Sequence, residues 1–195
     1  MTVNRNRLFT APRASLEGYL LIAAPRQTDT HFARSVVYVV QDDENGTFGV
    51  ELNRTVDDES WSDFRDQSGA QELERHFAVQ GGPLDGPVFA LHQSQSLAEI
   101  EIPGGIYVSS DSEALRELME QIEAPYRIVL GIAGWRSKEI RREILQGLWW
   151  PMRARPQDVF ETSELMWENC VRRYGREKLS SVLGIEIENR DPHRN

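Results

Sequence analysis

Three observations predict an α+β fold for this 195-residue chain. Short β-forming runs, punctuated by Gly, Pro and Asn-Gly, fill residues 18–109. Segments with helical apolar spacing are concentrated after them, from Ser110 onward. The regular strand–helix alternation of a parallel sheet is missing. The length suits one domain with short extensions, and a chain of this size can bury roughly 70% of its unfolded surface.

Gly18–Ala24 (GYLLIAA) reads as a strand stopped by Pro25. Arg34–Gln41 (RSVVYVVQ) is rich in strand formers and suits a central strand covered on both faces. Asn45-Gly46 follows, a strong short hairpin signal because both turn positions require φ > 0. Thr47–Asn53 then alternates, with Phe48, Val50 and Leu52 on one side and Thr47, Gly49, Glu51 and Asn53 on the other. An antiparallel hairpin over Arg34–Asn53 results. Thr55–Ala70, with Trp61 and Phe64 three apart, suits a short helix. His76–Gln80 and Pro87–His92 read as short strands around the Gly81–Gly86 loop, and Ile100–Ile102 and Ile106–Ser109 as two more around Pro103-Gly104-Gly105.

Ser110 and Glu113 have capping-box spacing, and Leu115, Leu118, Met119 and Ile122 form one helical face behind them. Tyr126–Ala133 reads as a strand. Ser137 can cap a helix whose apolar side is Ile140, Ile144, Leu145 and Leu148. A last helix starts near Thr162 or Ser163, aligns Trp167, Cys170, Val171 and Tyr174, and stops at Gly175. The domain organisation expected is a flexible arm over 1–15, one α+β domain over 16–185 and a polar tail over 186–195.

Charge narrows the function classes. Lys and Arg number 22 against 31 Asp and Glu, a net charge of −9. A dedicated nucleic-acid binder usually carries the opposite balance, so direct nucleic-acid binding is not expected. No apolar run approaches a membrane span, and none in the first 15 residues suits a signal-peptide core. A lone cysteine, Cys170, cannot form an internal disulfide, and a reducing, cytoplasmic location fits. Residues 41–67 hold nine acids and two bases, whereas 127–178 hold eleven bases and seven acids. These are either two solvated faces of opposite sign, or an acidic segment that steers a partner or docks on the basic end.

No nucleophile elbow, phosphate loop, dinucleotide fingerprint or zinc-protease motif is present. His31, His76, His92 and His193 are scattered, so neither a metal nor another cofactor is expected. Three constellations remain. Asn53-Arg54 ends the hairpin, where Asn can bond backbone and Arg can meet an anion. Gly81-Gly82 permits close backbone approach, and His92 ends a strand where acid–base chemistry is available. Gly131–Trp135 leads into a helix flanked by Arg136, Lys138, Arg141 and Arg142, an arrangement that suits either tight packing or an anion at the helix start. The first two make Asn53, Arg54, Gly81, Gly82 and His92 a candidate ligand site, pictured as one concavity with His92 at its rim. Each residue also has a structural explanation. Cys170, at helical spacing with Trp167 and Val171, reads as core.

The ordered segments Gly18–Pro25, Asp29–Val37, Asn45-Gly46 with Gly49–Arg54, Gly81–Pro83, Val88–His92, Gly131–Trp135, Glu139–Trp149 and Phe160–Thr162 together resemble the AlgH/YqgE family of bacterial proteins. Thr55 stands where that family usually carries a proline after Asn-Arg. The resemblance implies an α+β fold with a bifurcated, mixed and largely antiparallel sheet, partly barrel-like and surrounded by helices. It implies no enzyme activity or cofactor, and an indirect association with transcriptional regulation. The expectation is a non-catalytic interaction or regulatory protein, with an unknown protein partner or a small anionic ligand. The alternative is a small-molecule enzyme whose pocket lies near Asn53, Arg54, Gly81, Gly82 and His92.

Overall fold

A computed structural model of the chain describes residues 15–70, 73–120, 124–161 and 163–184. All but Ser15 of the expected arm, the expected tail, Ile122 and Thr162 lie outside the described residues.

Among the described residues, ten strands form two five-stranded sheets. The first takes the order β10-β1-β2-β3-β9, and all its pairings are antiparallel. Its strands are β1 (Tyr19–Ala23), β2 (Val36–Asp42), β3 (Gly46–Glu51), β9 (Ala133–Arg136) and β10 (Trp149–Arg153). The second takes the order β4-β8-β5-β7-β6. It comprises β4 (Ala78–Gln80), β5 (Phe89–His92), β6 (Ile100–Ile102), β7 (Ile106–Ser109) and β8 (Tyr126–Leu130). Among the described strands only β4 and β8 pair in parallel. The fold is therefore α+β with mixed, largely antiparallel sheets that fork rather than close into a barrel.

Periodicity explains the layering. In β2, Val36 and Tyr38 point into a core shared with Leu91, Val129 and Met152, while Val37 and Val39 pack on the other face with Trp135, Ile140 and Trp149. Both sets are fully buried, as the central-strand reading of this run requires. The outer face of the second sheet, with Ala90 and Ile128, packs against Trp61 and Phe64 of α1 (Asp58–Ser68) and Leu118 of α2 (Ser112–Glu120). Helix α3 (Glu139–Leu145) covers the first sheet through Ile140; α4 (Pro156–Phe160) and α5 (Met166–Leu183) close the shared core with Val159, Met166 and Cys170.

Several local expectations are corrected. The hairpin turn is not the two-residue type, because neither Asn45 nor Gly46 has positive φ. Instead the Asp43 carboxylate accepts from the backbone N–H of Asn45 at 2.7 Å and of Gly46 at 3.3 Å. A β-carbon on Gly46 would lie 2.6 Å from the Trp135 carbonyl oxygen, so the glycine is needed for the approach of β9. A bulge between Val39 and Gln41 then pairs Asp42 with Thr47. The polar side of β3 is not solvated: Thr47 and Glu51 are both buried.

The cap of α2 is Asp111, which accepts from the N–H groups of Glu113 and Ala114; the Ser110 hydroxyl instead donates to Glu99. Lys138, not Ser137, precedes α3, with φ 67° and no side-chain cap. The apolar run Tyr126–Ala133 is split between the sheets, because Gly131 takes φ 73° and sends the chain across. Helix α5 passes through Gly175 and stops at Gly184, whose φ of 64° provides the left-handed cap.

Candidate functional site

The end of β3 is a buried polar junction. Glu51 sits on a strand covered on both faces, and its side chain is only 3% exposed. Arg54 grips it with two parallel bonds, Nε to Oε2 at 3.0 Å and Nη2 to Oε1 at 3.0 Å. The Ser35 hydroxyl donates to the same carboxylate, and Arg54 also donates to the His31 carbonyl. This bidentate geometry binds a carboxylate more tightly and specifically than a point charge would. Asn53 is equally committed: its Oδ1 accepts from the Val36 N–H at 2.9 Å, and its Nδ2 donates to the Arg34 carbonyl at 2.9 Å. Both residues thus fasten the segment before β2 to the end of β3.

Gly81 and Gly82 approach backbone of their own chain. The Gly81 carbonyl accepts from the Glu51 N–H at 2.8 Å, tying β4 to β3 across the two sheets. A β-carbon on Gly82 would lie 2.3 Å from the Ala133 nitrogen and 2.3 Å from the Ile132 carbonyl carbon. The glycine pair and the small Gly131–Ala133 segment therefore pass each other where the sheets fork.

His92 is fully buried. Its Nδ1 accepts from the Ser94 N–H at 3.2 Å, which leaves Nε2–H to donate to the Ser109 hydroxyl at 2.9 Å. Ser109 passes a hydrogen bond on to the Leu97 carbonyl. Burial holds the imidazole pKa below its ordinary value, against the opposing influence of the Ser94 bond and of Glu99.

Arg54 and Gly82 share a hollow of about 240 Å³ that also holds Glu51, Asp57 and Asp85. Asn53 and Arg54 border a larger cleft of about 560 Å³, whose other walls include Arg75, His76, Arg127 and Glu164. His92 lines neither of these hollows, whereas Arg54 and Gly82 share the smaller one. Arg127, the cleft residue that sequence reasoning passed over, is a lone charge inside the apolar run Tyr126–Ala133, and that mismatch was its signal.

The third constellation is occupied by packing. Trp135 and Trp149 both donate from Nε1 to Glu143 Oε2, at 3.2 and 2.7 Å. Arg141 makes two bonds to Asp42, at 2.9 and 2.7 Å. Asp42 also accepts from Thr47 and from the Leu16 N–H. Burial would raise the Asp42 pKa, but these hydrogen bonds outweigh it and hold the carboxyl below its usual range. One acid of the 41–67 segment is in this way docked on the basic half of the chain. Cys170 is buried core, and burial pushes its thiol up to about 11. Among the described residues no cluster of His, Cys, Asp and Glu could hold a metal ion, and no helix is long and apolar enough to cross a membrane.

These features define a class: a forked two-sheet α+β protein in which backbone bonds from Glu51 to Gly81 and from Gln80 to Arg54 tie one sheet to the other. The chain belongs to the AlgH-like family, whose model matches residues 20–179. A UPF0301 protein of Streptomyces avermitilis is 32% identical over 186 residues, covering 84% of this chain and 89% of that protein. A UPF0301 protein of Chlamydia abortus is 31% identical over 170 residues, covering 84% and 89%. The fold is similar to the solution structure of AlgH from Pseudomonas aeruginosa, with TM-score 0.66, 22% identity and coverage of 95% and 99%. It is likewise similar to a crystal structure of a Corynebacterium diphtheriae protein, with TM-score 0.68, 23% identity and coverage of 88% and 94%.

Proposed function

We propose that this AlgH-like protein is a non-catalytic interaction protein of the cytoplasm, acting in regulation through a partner that it binds rather than by direct contact with DNA. The observation that carries this reading is the commitment of its reactive groups. Glu51 is gripped by Arg54 and Ser35, and His92 is enclosed between Ser94 and Ser109. A general acid or base must reach the proton it moves, and both are engaged internally instead. The net charge of −9 favours an indirect route to any effect on transcription.

Reconstitution tests the proposal. Partners cross-linked in the native cell are purified separately and titrated with the purified chain; a saturable, stoichiometric complex supports the reading. Turnover of an ester, phosphoester or peptide substrate that vanishes in His92→Gln or Glu51→Gln overturns it. Sequence-dependent nanomolar binding of duplex DNA at physiological salt also overturns it.

A further inference from the structure

The larger cleft contains a charge that the described residues leave uncompensated. Arg127 stands in β8, and only 2% of its surface is exposed. One of its nitrogens, Nη2, donates to the Phe160 carbonyl at 2.6 Å. Its buried Nε–H has no hydrogen-bond partner, and no carboxylate pairs with it among the described residues. Buried guanidinium groups are ordinarily paired, because isolating such a charge from water is costly. Burial lowers the Arg127 pKa to about 10, so the group remains a cation at neutral pH.

A second guanidinium, that of Arg75, lines the same cleft. The Nε–H of Arg75 is buried and unpartnered, while its other nitrogens bond to the Val56 carbonyl and, at 2.5 Å, to Asp58. Asp58 is 97% exposed, so solvent screens its hold on Arg75. Arg54 at the border is already neutralised by Glu51. His76 at the wall faces Glu74. The carboxylate on the lining itself is Glu164, which is exposed. The unbalanced charge of the cleft is therefore positive and sits at its buried side. Leu52, Ala78 and Val79 add an apolar wall, and about 560 Å³ is within the range of small-metabolite sites.

We infer that the cleft between Arg75 and Arg127 binds a small metabolite through an oxyanion, a phosphate or carboxylate group, with the apolar wall receiving the rest of the molecule. The anion meets the guanidinium groups of Arg75 and Arg127 and supplies a counter-charge that Arg127 lacks among the described residues. The site adds a ligand to the interaction reading and does not depend on it.

Nitrogen-15 spectra of the arginine Nε–H groups of the whole chain test this site. Titration with inorganic phosphate, and separately with citrate, should shift the Arg75 and Arg127 resonances saturably, while sodium chloride at matched ionic strength should not. Response to one probe alone assigns the class of oxyanion. Arg75→Gln should weaken binding about tenfold, the loss of one charge-assisted hydrogen bond. Arg127→Met should abolish it; if that variant does not fold, Arg75→Gln and the resonance shifts decide. Absence of a shift with either probe, or equal shifts with chloride, overturns the proposal. So does unchanged affinity in Arg75→Gln.

Discussion

Truncating Arg54 to alanine separates a fastening role from a binding role. The guanidinium makes two bonds of 3.0 Å to Glu51 and a third to the His31 carbonyl. Its removal leaves the Glu51 carboxylate, 3% exposed, with Ser35 as its remaining side-chain donor. Breaking a fully buried ion pair from one side costs about 3–5 kcal/mol. Arg54 is 41% exposed, however, so water can enter where the guanidinium stood and screen the orphaned charge. That lowers the expected loss to about 2–3 kcal/mol. For a chain of this size the melting temperature should fall by roughly 5–10 °C. Urea unfolding should show a lower midpoint with an unchanged slope. A double-mutant cycle with Glu51→Gln should give a coupling of about 1–2 kcal/mol. If Arg54→Ala stays within about 0.5 kcal/mol of the parent, the fastening argument is wrong. Arg54 would then be available for an anion.

Gly82→Ala should destabilise by about 3–5 kcal/mol, combining strain at φ 154° with a clash against rigid backbone of Ile132 and Ala133; a normal urea midpoint would contradict this. His92 gives a pH dependence. Its folded pKa lies below the unfolded value of about 6.5, so its contribution is intact above that pH and is lost as pH falls through it toward the folded pKa. The stability of His92→Gln should fall less steeply over that window. Gly175→Ala, in the exposed interior of α5 with open space around the added methyl, should stabilise by about 0.5–1 kcal/mol; a lower melting temperature would show that α5 does need a glycine there.

The parts of this fold legible in sequence are those set by local pattern. The run Val36–Val39 is apolar at both parities, and it became the central strand. Ile100–Ile102 and Ile106–Ser109 were bounded by turn residues and formed at those limits. Strand β10 escaped because Pro151 argues against a strand interior; it is tolerated because β10 is an edge that pairs with β1 alone. The split of Tyr126–Ala133 between two sheets was not legible, since apolar periodicity carries no information about which sheet a residue joins. Gly175 read as a stop because glycine is a common helix terminator, but it is helical here and the left-handed cap falls at Gly184.

The candidate residues were legible as strand ends and turns, but what their side chains bond to was not. Asn53, Arg54, Gly81 and Gly82 do gather where the two sheets fork, yet their donors and close approaches are spent on the chain itself. Residue type alone cannot reveal this, because a guanidinium satisfied by Glu51 and one awaiting an anion are the same letter. What distinguishes them is the partner count inside the folded chain. Arg54 has its full carboxylate, Arg141 has Asp42 and Arg173 has Asp158, whereas Arg127 has a single carbonyl. Among the described residues the buried carboxylates Asp42 and Glu51 are matched by arginines, while Arg127 has no carboxylate, which is what makes it the natural place to test for an external partner. The most telling polar residue is therefore Arg127, a charge in the middle of an apolar strand, and not those in the strand-end motifs.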